Sequence, residues 1–174
     1  MVVAFAVAAL VFAAPVQLGE VHEEGVIPLV AAILDAEPRT TVDVTINSPG
    51  GRVDVGLAVI GLMEMAQREK MVRFRCHAGD IVASMATVIF AQCDERRAQK
   101  NTRFLIHPVW VVTRGNGDQL REAAKRLDFL THVLYSIISE RTGYPVVSIH
   151  ARAAGDWWFN TREAVRIGLV NRAN

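Results

Sequence analysis

The chain has 174 residues, a length that fits one domain with a buried hydrophobic core. Its 19 lysines and arginines nearly balance 18 aspartates and glutamates, which excludes a strongly basic nucleic-acid-binding surface and an acidic disordered tail. The two cysteines, Cys76 and Cys93, have no metal-binding spacing. The simplest interpretation is two small buried thiols in a reducing compartment, and a disulfide between them stays open.

The chain opens with an apolar run, MVVAFAVAALVFAA, which we treat as a separate segment over residues 1–15. The run is shorter than the roughly 20 residues that a membrane-spanning helix needs. It also lacks the lysine or arginine that opens a secretory signal. We predict that it packs on the domain or on another subunit, with a membrane or export role as the lesser alternative. Residues 16–174 are predicted to form one domain, because no repeat or linker interrupts them.

Strands and helices alternate in the first half of that domain. PVQLGEV predicts a short strand that ends at Gly19, and EEGVIPLVAAILDAEP predicts a helix that stops before Pro38. Every second residue is apolar in TTVDVTIN, which is the pattern of a strand. Helical spacing returns from Val53 to Arg68, and MVRFRCH indicates the next strand.

The second half continues this alternation. GDIVASMATVIF predicts a helix of about ten residues with Ser84 near its start, and TRFLIHPVWVV is strand-like with Pro108 at its end. The longest helix is predicted from about Asp118 to Arg141, where Gly143 stops it. TREAVRIGLV predicts a helix capped by Thr161 and followed by a short strand. Alternating elements of this kind predict an α/β domain with a largely parallel sheet.

The motif INSPGG ends the second predicted strand. Pro49 fixes the direction of the chain, and Gly50 and Gly51 allow backbone angles that other residues adopt only at a cost. Their N–H groups can therefore point into a cavity. An ordinary strand-to-helix turn is the alternative interpretation.

Ser84 lies at the predicted start of a helix, where free N–H groups and the helix dipole favour an anion. The N–H of Met85 is suited to bind the oxygen of a tetrahedral intermediate. A serine in an apolar helix is otherwise a core residue that bonds to a preceding carbonyl. The segment alone leaves both roles open.

A serine nucleophile needs a base, and His107 follows an apolar strand at the sheet edge where active sites of α/β proteins gather. His77 also lies at a strand end and competes for this role. The other three histidines, on helix or loop positions, are assigned to the surface. Asp156 is the candidate for the carboxylate that orients the imidazole.

Taken in order, these motifs resemble the proteolytic subunit of the Clp protease (ClpP) family. The resemblance covers roughly residues 16–171. It is carried by INSPGG at 46–51, ASM at 83–85, IHP at 106–108, TG at 142–143, and GD with F..REAVRIGLV at 155–170.

The resemblance implies a ClpP/crotonase-like α/β fold with repeated β-β-α-type units, in which the long helix is a protruding handle that joins two rings. It assigns the nucleophile, the base and the third triad member to Ser84, His107 and Asp156. It assigns the oxyanion hole to the N–H groups of Gly51 and Met85. The implied activity is that of a serine endopeptidase.

The resemblance also implies a substrate strand that lies along 51–54 and 108–111 by β-augmentation. The implied substrate contacts are Gly50, Arg52, Val53, Pro108 and Val109. The substrate would be a peptide or an unfolded protein, cut inside a homo-oligomer of heptameric rings stacked as a tetradecamer. No cofactor, metal or nucleic acid is implied, and the implied location is the cytoplasm.

Two departures from the family pattern matter. The polar axial loops that engage an unfoldase ring have no counterpart in the apolar N-terminal run, so dependence on an AAA+ unfoldase is left open. HPVWVVTRGNG replaces the family's HQP and glycine-rich stretch, which leaves the handle geometry and ring pairing open.

Three other functions remain as alternatives. One is a crotonase-type acyl-CoA hydratase or hydrolase on the same fold. Another is a signal-peptide-peptidase-like enzyme with a lysine base, for which the chain offers Lys70, Lys100 and Lys125. The last is an inactive ring subunit that scaffolds active partners.

Overall fold

A computed structural model describes residues 14–172, so the prediction for the N-terminal segment 1–15 lies outside the described residues except at its last two positions. One six-stranded sheet is formed by β1 (Val16–Leu18), β2 (Thr41–Ser48), β3 (Arg73–Ala83), β4 (Glu95–Ala98), β5 (Arg103–Ile106) and β6 (Trp157–Asn160). The helices of this part of the chain are α1 (Ile27–Asp35), α2 (Val53–Lys70), α3 (Met85–Gln92), α4 (Gly117–Thr142), α5 (Val146–Arg152) and α6 (Thr161–Arg166).

The sheet order is β1-β2-β3-β5-β6, and β4 pairs with the first half of β3. All neighbours are parallel except β5 and β6, which are antiparallel. The predicted α/β class with a largely parallel sheet is confirmed. The carboxyl ends of β3 and β5 meet at one edge, because Ala83 is paired with Leu105.

Helix α3 is buried along its whole length. A helix that is apolar on nearly every side must be covered on every side, and α3 packs against α2, α4 and the sheet. Phe90 of this helix contacts Phe104 of β5, with ring centroids 5.7 Å apart. The position of Ser84, directly before α3, is therefore fixed by the core.

Helix α4 extends one residue beyond the predicted range at each end. The side chain of Asn116 accepts hydrogen bonds from the first turn, and the Oε1 of Gln119 accepts one from the N–H of Asn116, which completes a capping box. Gly143 ends the helix with a positive φ of 74°, as predicted. The first half of α4 is mostly exposed, and the second half packs through Leu134 and Ile138. Within residues 14–172, the helices lack the combined length and apolarity needed to cross a bilayer.

Strand β4 was not predicted, and three of its four residues, ERRA, are charged. Arg96 is nonetheless only 4% exposed. Its guanidinium donates to the carbonyls of Ala91, Cys93, Arg141, Gly168 and Leu169 at 2.6–3.3 Å. These carbonyls lie at or just beyond the C-terminal ends of α3, α4 and α6, where acceptors lack helical partners and a cation is favoured. Burial lowers the pKa of Arg96 to about 10.

The prediction for the last segment is partly wrong. Asn160, not Thr161, caps α6, because its side chain accepts a hydrogen bond from the N–H of Glu163 at 3.1 Å. The short strand after α6 is absent from the described residues. The chain instead turns at Gly168, whose φ is 75°, and the N–H of Val170 bonds back to the helix.

Cys76 and Cys93 form a disulfide, with Cα atoms 6.0 Å apart and both residues fully buried. The simplest expectation, two reduced thiols, is therefore wrong for this structure. The chain after α3 returns to β3, because Asp94 accepts from the N–H of Phe74 at 2.8 Å and donates to its carbonyl at 3.0 Å. This return brings the two cysteines together.

Candidate active site

Ser84 occupies a sharp turn between the end of β3 and the start of α3. Its φ of 55° and ψ of −128° are strained values for a residue with a side chain. Its N–H donates to the carbonyl of Leu105 and its carbonyl accepts from the N–H of Thr87, both at 2.9 Å. The turn thus presents a hydroxyl at the N-terminus of a buried helix, where the helix dipole favours developing negative charge.

His107 directly follows β5, the neighbour of β3, and its Nε2 lies 2.8 Å from the Oγ of Ser84. Both residues are half-buried. When the ring proton is on Nδ1, Nε2 accepts a hydrogen bond from the hydroxyl. This distance is the one required between a nucleophile and its general base.

The competing base, His77, does not reach Ser84. Its side chain lies beside Asp43, with Nε2 at 3.8 Å from the carboxylate. His22 accepts from the N–H of Gly25 at 3.3 Å. His132 and His150 pair with each other at 3.2 Å between α4 and α5.

Asp156 is exposed and, in the described part of the chain, makes no hydrogen bond or ion pair with His107. The two backbones are nevertheless neighbours. Ile106 of β5 is paired with Trp157 of antiparallel β6, so the next opposing positions are those of His107 and Asp156. The structure brings together the serine and the histidine, whereas the carboxylate of Asp156, one residue before β6, makes no hydrogen bond to His107.

The SPGG turn packs directly against Ser84. Gly50 has a φ of 99°, and a Cβ on it would lie 2.6 Å from the Cβ of Ser84 and 3.1 Å from the N of Met85. Gly51, with a φ of 145°, bridges to Val21 on the chain segment after β1. This approach brings the turn next to the first N–H of α3, a group without a partner inside its helix.

An open cleft of about 1050 Å³ passes Ser84 and His107. All five predicted substrate contacts line it: Gly50, Arg52, Val53, Pro108 and Val109. Its apolar wall includes Leu57, Val88, Ile106, Leu127, Leu130 and Leu134. The helix α4 supplies three of these side chains, a contribution that sequence reasoning missed because α4 is distant from the motifs along the chain.

Charge is confined to the exposed rim of the cleft. Arg52 forms ion pairs with Glu23 and with Asp54. The hydrogen bond from Arg52 holds the pKa of the Asp54 carboxyl below its usual value. Arg52 is thus neutralised by two carboxylates, whereas the exposed Arg126 of α4 also lines the cleft.

Two threonines beside the site were also missed. The hydroxyl of Thr131 on α4 accepts from the N–H of Val109 at 2.9 Å. Thr87 lies in α3 one turn after Ser84, fully buried. Thr87 is the one hydroxyl residue among the apolar residues that follow Ser84 in the sequence, and this could have marked it as a candidate.

No lysine takes the place of the base within residues 14–172. The Nζ of Lys70 donates to the carbonyls of Leu34 and Ala36 at 2.9 and 3.0 Å. Lys125 pairs with Glu122 on the exposed surface of α4, and Lys100, exposed in the turn after β4, does not line the cleft. The geometry thus gives the lysine-base alternative no support.

A serine on a strained strand-to-helix turn, held against a histidine from the neighbouring strand, defines a hydrolase of the serine class. The family model described as Clp protease matches residues 8–173, and the chain belongs to that family. It is a serine-type peptidase. Proteins of this family generally form oligomeric rings.

A curated relative agrees with this assignment. The chain is 27% identical over 159 residues to a protein of Streptomyces coelicolor named ATP-dependent Clp protease proteolytic subunit 3. The match covers 90% of this chain and 71% of the relative.

Proposed function

We propose that residues 16–174 form a peptidase domain that cleaves peptides or unfolded proteins inside an oligomeric chamber, through a triad of Ser84, His107 and Asp156. The observation that carries this proposal is the contact of 2.8 Å between the Oγ of Ser84 and the Nε2 of His107. A hydroxyl at that distance from a ring nitrogen can lose its proton as it attacks.

The proposed reaction follows from this geometry. His107 takes the proton of Ser84, and the oxygen attacks the carbonyl carbon of the scissile peptide. The N–H groups of Gly51 and Met85 donate to the resulting oxyanion. His107 then gives the proton to the leaving amine, and it later activates the water that hydrolyses the acyl-enzyme.

Asp156 would orient His107 and stabilise its charged form. The antiparallel pairing supports this role, because it ends at Ile106 and Trp157 and the next residues of the two segments are His107 and Asp156. A change of side-chain rotamer can then bring the carboxylate to Nδ1.

The cleft supports an extended peptide as the substrate. Its lining includes the SPGG turn on one side and residues 106–111 on the other, and 107–116 lie outside regular secondary structure. Backbone groups of such segments can pair with a substrate strand. The apolar wall favours a hydrophobic side chain beside the scissile bond.

The proposed assembly is a tetradecamer of two heptameric rings joined through α4. Large apolar side chains are exposed on α4 and the segment before it: Trp110 is 72% exposed, Val112 85% and Phe129 66%. Surfaces of this kind are normally covered by a partner. Light scattering of the purified chain, with and without an added AAA+ unfoldase, tests the particle size and the need for the ATPase.

A cytoplasmic location is part of the proposal, and the Cys76–Cys93 disulfide bears on it. Disulfides are rare in the reducing cytoplasm. Mass spectrometry of the protein trapped in cells with an alkylating reagent measures whether these thiols are free. Quantitative disulfide in the native cells would favour an oxidising compartment.

The catalytic proposal is tested with a fluorophosphonate probe, which reacts with activated serines. The wild type should be labelled on Ser84, and Ser84→Ala should not be labelled. Labelling that survives this substitution would refute the assignment. A chain that assembles into rings but never reacts with the probe would favour the inactive scaffold.

A further inference from the structure

The buried hydroxyl of Thr87 lies between the two chain segments that carry the nucleophile and the base. Its Oγ1 is 2.9 Å from the carbonyl oxygen of Val82 and 2.9 Å from that of Leu105. Thr87 is fully buried and does not line the cleft, so it has no direct contact with a substrate there.

These two carbonyls occupy equivalent places. Val82 lies two residues before Ser84 on β3, and Leu105 lies two residues before His107 on β5. The pairing of the two strands ends at Ala83 and Leu105. Beyond that point one backbone hydrogen bond joins the two segments, from the N–H of Ser84 to the carbonyl of Leu105 at 2.9 Å, and the hydroxyl of Thr87 is shared with that same carbonyl.

We propose that Thr87 is a positioning residue that sets the distance between Ser84 and His107, an inference that rests on the proposed function. Its hydroxyl carries one proton, which is shared between the carbonyl oxygens of Val82 and Leu105. This shared hydrogen bond couples the ends of β3 and β5. Its N–H also donates to the carbonyl of Ser84 at 2.9 Å. One residue thus contacts the backbone of both catalytic segments.

Replacement by valine keeps the shape of the side chain and removes the donor. Both bonds of the hydroxyl are lost, the one to Val82 and the one that crosses to Leu105, and only the N–H of Ser84 still donates to the carbonyl of Leu105. With a single hydrogen bond left at this point, the end of β5 can shift relative to Ser84 and carry His107 with it. Small misplacements of reacting groups cost up to about a hundredfold in rate.

The same chain offers a matched control. Thr102 is also fully buried, and its hydroxyl donates to the carbonyl of Gly79 at 2.7 Å. It joins the same pair of strands at the opposite end of β5, away from Ser84. Thr102→Val should therefore reproduce the loss of a buried hydrogen bond without changing the catalytic distance.

The experiment compares Thr87→Val, Thr87→Ser and Thr102→Val by probe labelling, by kcat and KM on a small peptide, and by thermal unfolding. For Thr87→Val we expect labelling and kcat to fall roughly ten- to a hundredfold with KM within about threefold of the wild type. Thr87→Ser should restore the rate, and Thr102→Val should lower the melting temperature without slowing labelling. Thr87→Ala replaces the valine variant should that variant not fold.

Labelling of Thr87→Val at the wild-type rate, or an equal loss of rate in Thr102→Val, would overturn the positioning role. Failure of the wild type to react would instead count against the proposed function. Crystal structures distinguish a failure of the positioning role from a failure of the proposed function, because they measure the distance between the Oγ of Ser84 and the Nε2 of His107 whether or not the protein is active. We expect a hydrogen bond in the wild type and a separation beyond the limit of about 3.2 Å in Thr87→Val; an unchanged distance contradicts the inference.

Discussion

At the scale of single residues, Gly50 shows how closely the SPGG turn approaches the nucleophile. A Cβ at this position would lie 2.6 Å from the Cβ of Ser84 and 2.7 Å from the carbonyl oxygen of Ala83. Neither atom is the end of a flexible side chain. A side chain here must displace the turn or the serine.

We therefore expect Gly50→Ala to lower kcat/KM by about a hundredfold or more. The positive φ of 99° adds a strain of roughly 1–3 kcal/mol to the folded state. Peptide hydrolysis and thermal unfolding measure both effects. Gly61→Ala is the control, because a Cβ at Gly61, inside α2, meets no atom within 4 Å; a wild-type rate for both variants would contradict the expectation.

The proposed role of Asp156 makes a second prediction. Asp156→Asn removes the charge that stabilises protonated His107, so kcat should fall by roughly 10²- to 10⁴-fold. The fold should be unaffected, because the side chain is exposed. Asp80→Asn, another exposed carboxylate close to Ser84 in sequence, should leave kcat within about twofold of the wild type. Equal rates for the two variants would remove Asp156 from the mechanism.

Tyr135 predicts a change of stability at alkaline pH. The residue is 2% exposed, and burial raises the pKa of Tyr135 from 10.0 to about 12. The folded state holds the proton more tightly than the unfolded state, so stability present below pH 10 should decline between pH 10 and 12. The loss should be about 2–3 kcal/mol.

Denaturant unfolding of the wild type and Tyr135→Phe across that range measures this loss. The variant also lacks the bond of 3.3 Å from the hydroxyl to the carbonyl of Ala153, so its stability at pH 8 should be about 1 kcal/mol lower. Its stability relative to the wild type should then recover as the pH rises. Parallel curves for the two proteins would contradict the assignment.

At the scale of elements, α4 depends on its N-terminal cap. Asn116 accepts from the N–H groups of Asp118 and Gln119 at 3.1 and 3.0 Å. The following turns are exposed, so packing contributes little to their stability. The cap therefore decides whether the first half of this helix, which we propose joins the rings, stays folded.

Asn116→Ala should cost about 1 kcal/mol of helix stability. Hydrogen exchange at residues 117–125 should become several-fold faster. The double ring should be less stable and should therefore dissociate at a higher protein concentration than in the wild type. Asn101→Ala, in an exposed turn, is the control and should change neither. Unchanged exchange in Asn116→Ala would mean that contacts between rings, rather than the cap, hold this segment.

At the scale of the whole molecule, the disulfide closes a loop that contains both the strained serine and all of α3. Cys76 and Cys93 are 17 residues apart in the chain, and Ser84 lies between them. A loop of about this length stabilises a fold by roughly 3 kcal/mol through restriction of the unfolded chain. The bond thus acts on the part of the molecule that presents the nucleophile.

Unfolding with and without a reductant tests this contribution. The oxidised wild type should be about 3 kcal/mol more stable than the reduced form. The double variant Cys76→Ala/Cys93→Ala should not respond to the reductant. Equal stability of oxidised and reduced wild type would show that packing alone holds the loop.

Much of the architecture was predictable, because local patterns decide it. Alternation of apolar residues predicted β2, helical spacing predicted α2, and Gly143 marked the end of α4. The short strand β4 escaped prediction, since the environment that buries Arg96 includes carbonyls of Arg141 and Leu169, which are 45 and 73 residues away along the chain. No local pattern encodes such an environment.

By itself, the sequence determined which groups are candidates for catalysis: a serine at a helix start, histidines at strand ends, and a glycine turn that can accept unusual backbone angles. The choice of His107 over His77 came from the family resemblance, not from local patterns. Only the tertiary structure shows the ring of His107 at Ser84, the ring of His77 beside Asp43, and Thr87 bonded to both β3 and β5. The physical reason is the short distance along the chain over which local sequence patterns act. Periodicity and turn chemistry act over a few residues, whereas the pairing of β3 with β5 depends on packing between segments about 20 residues apart along the chain.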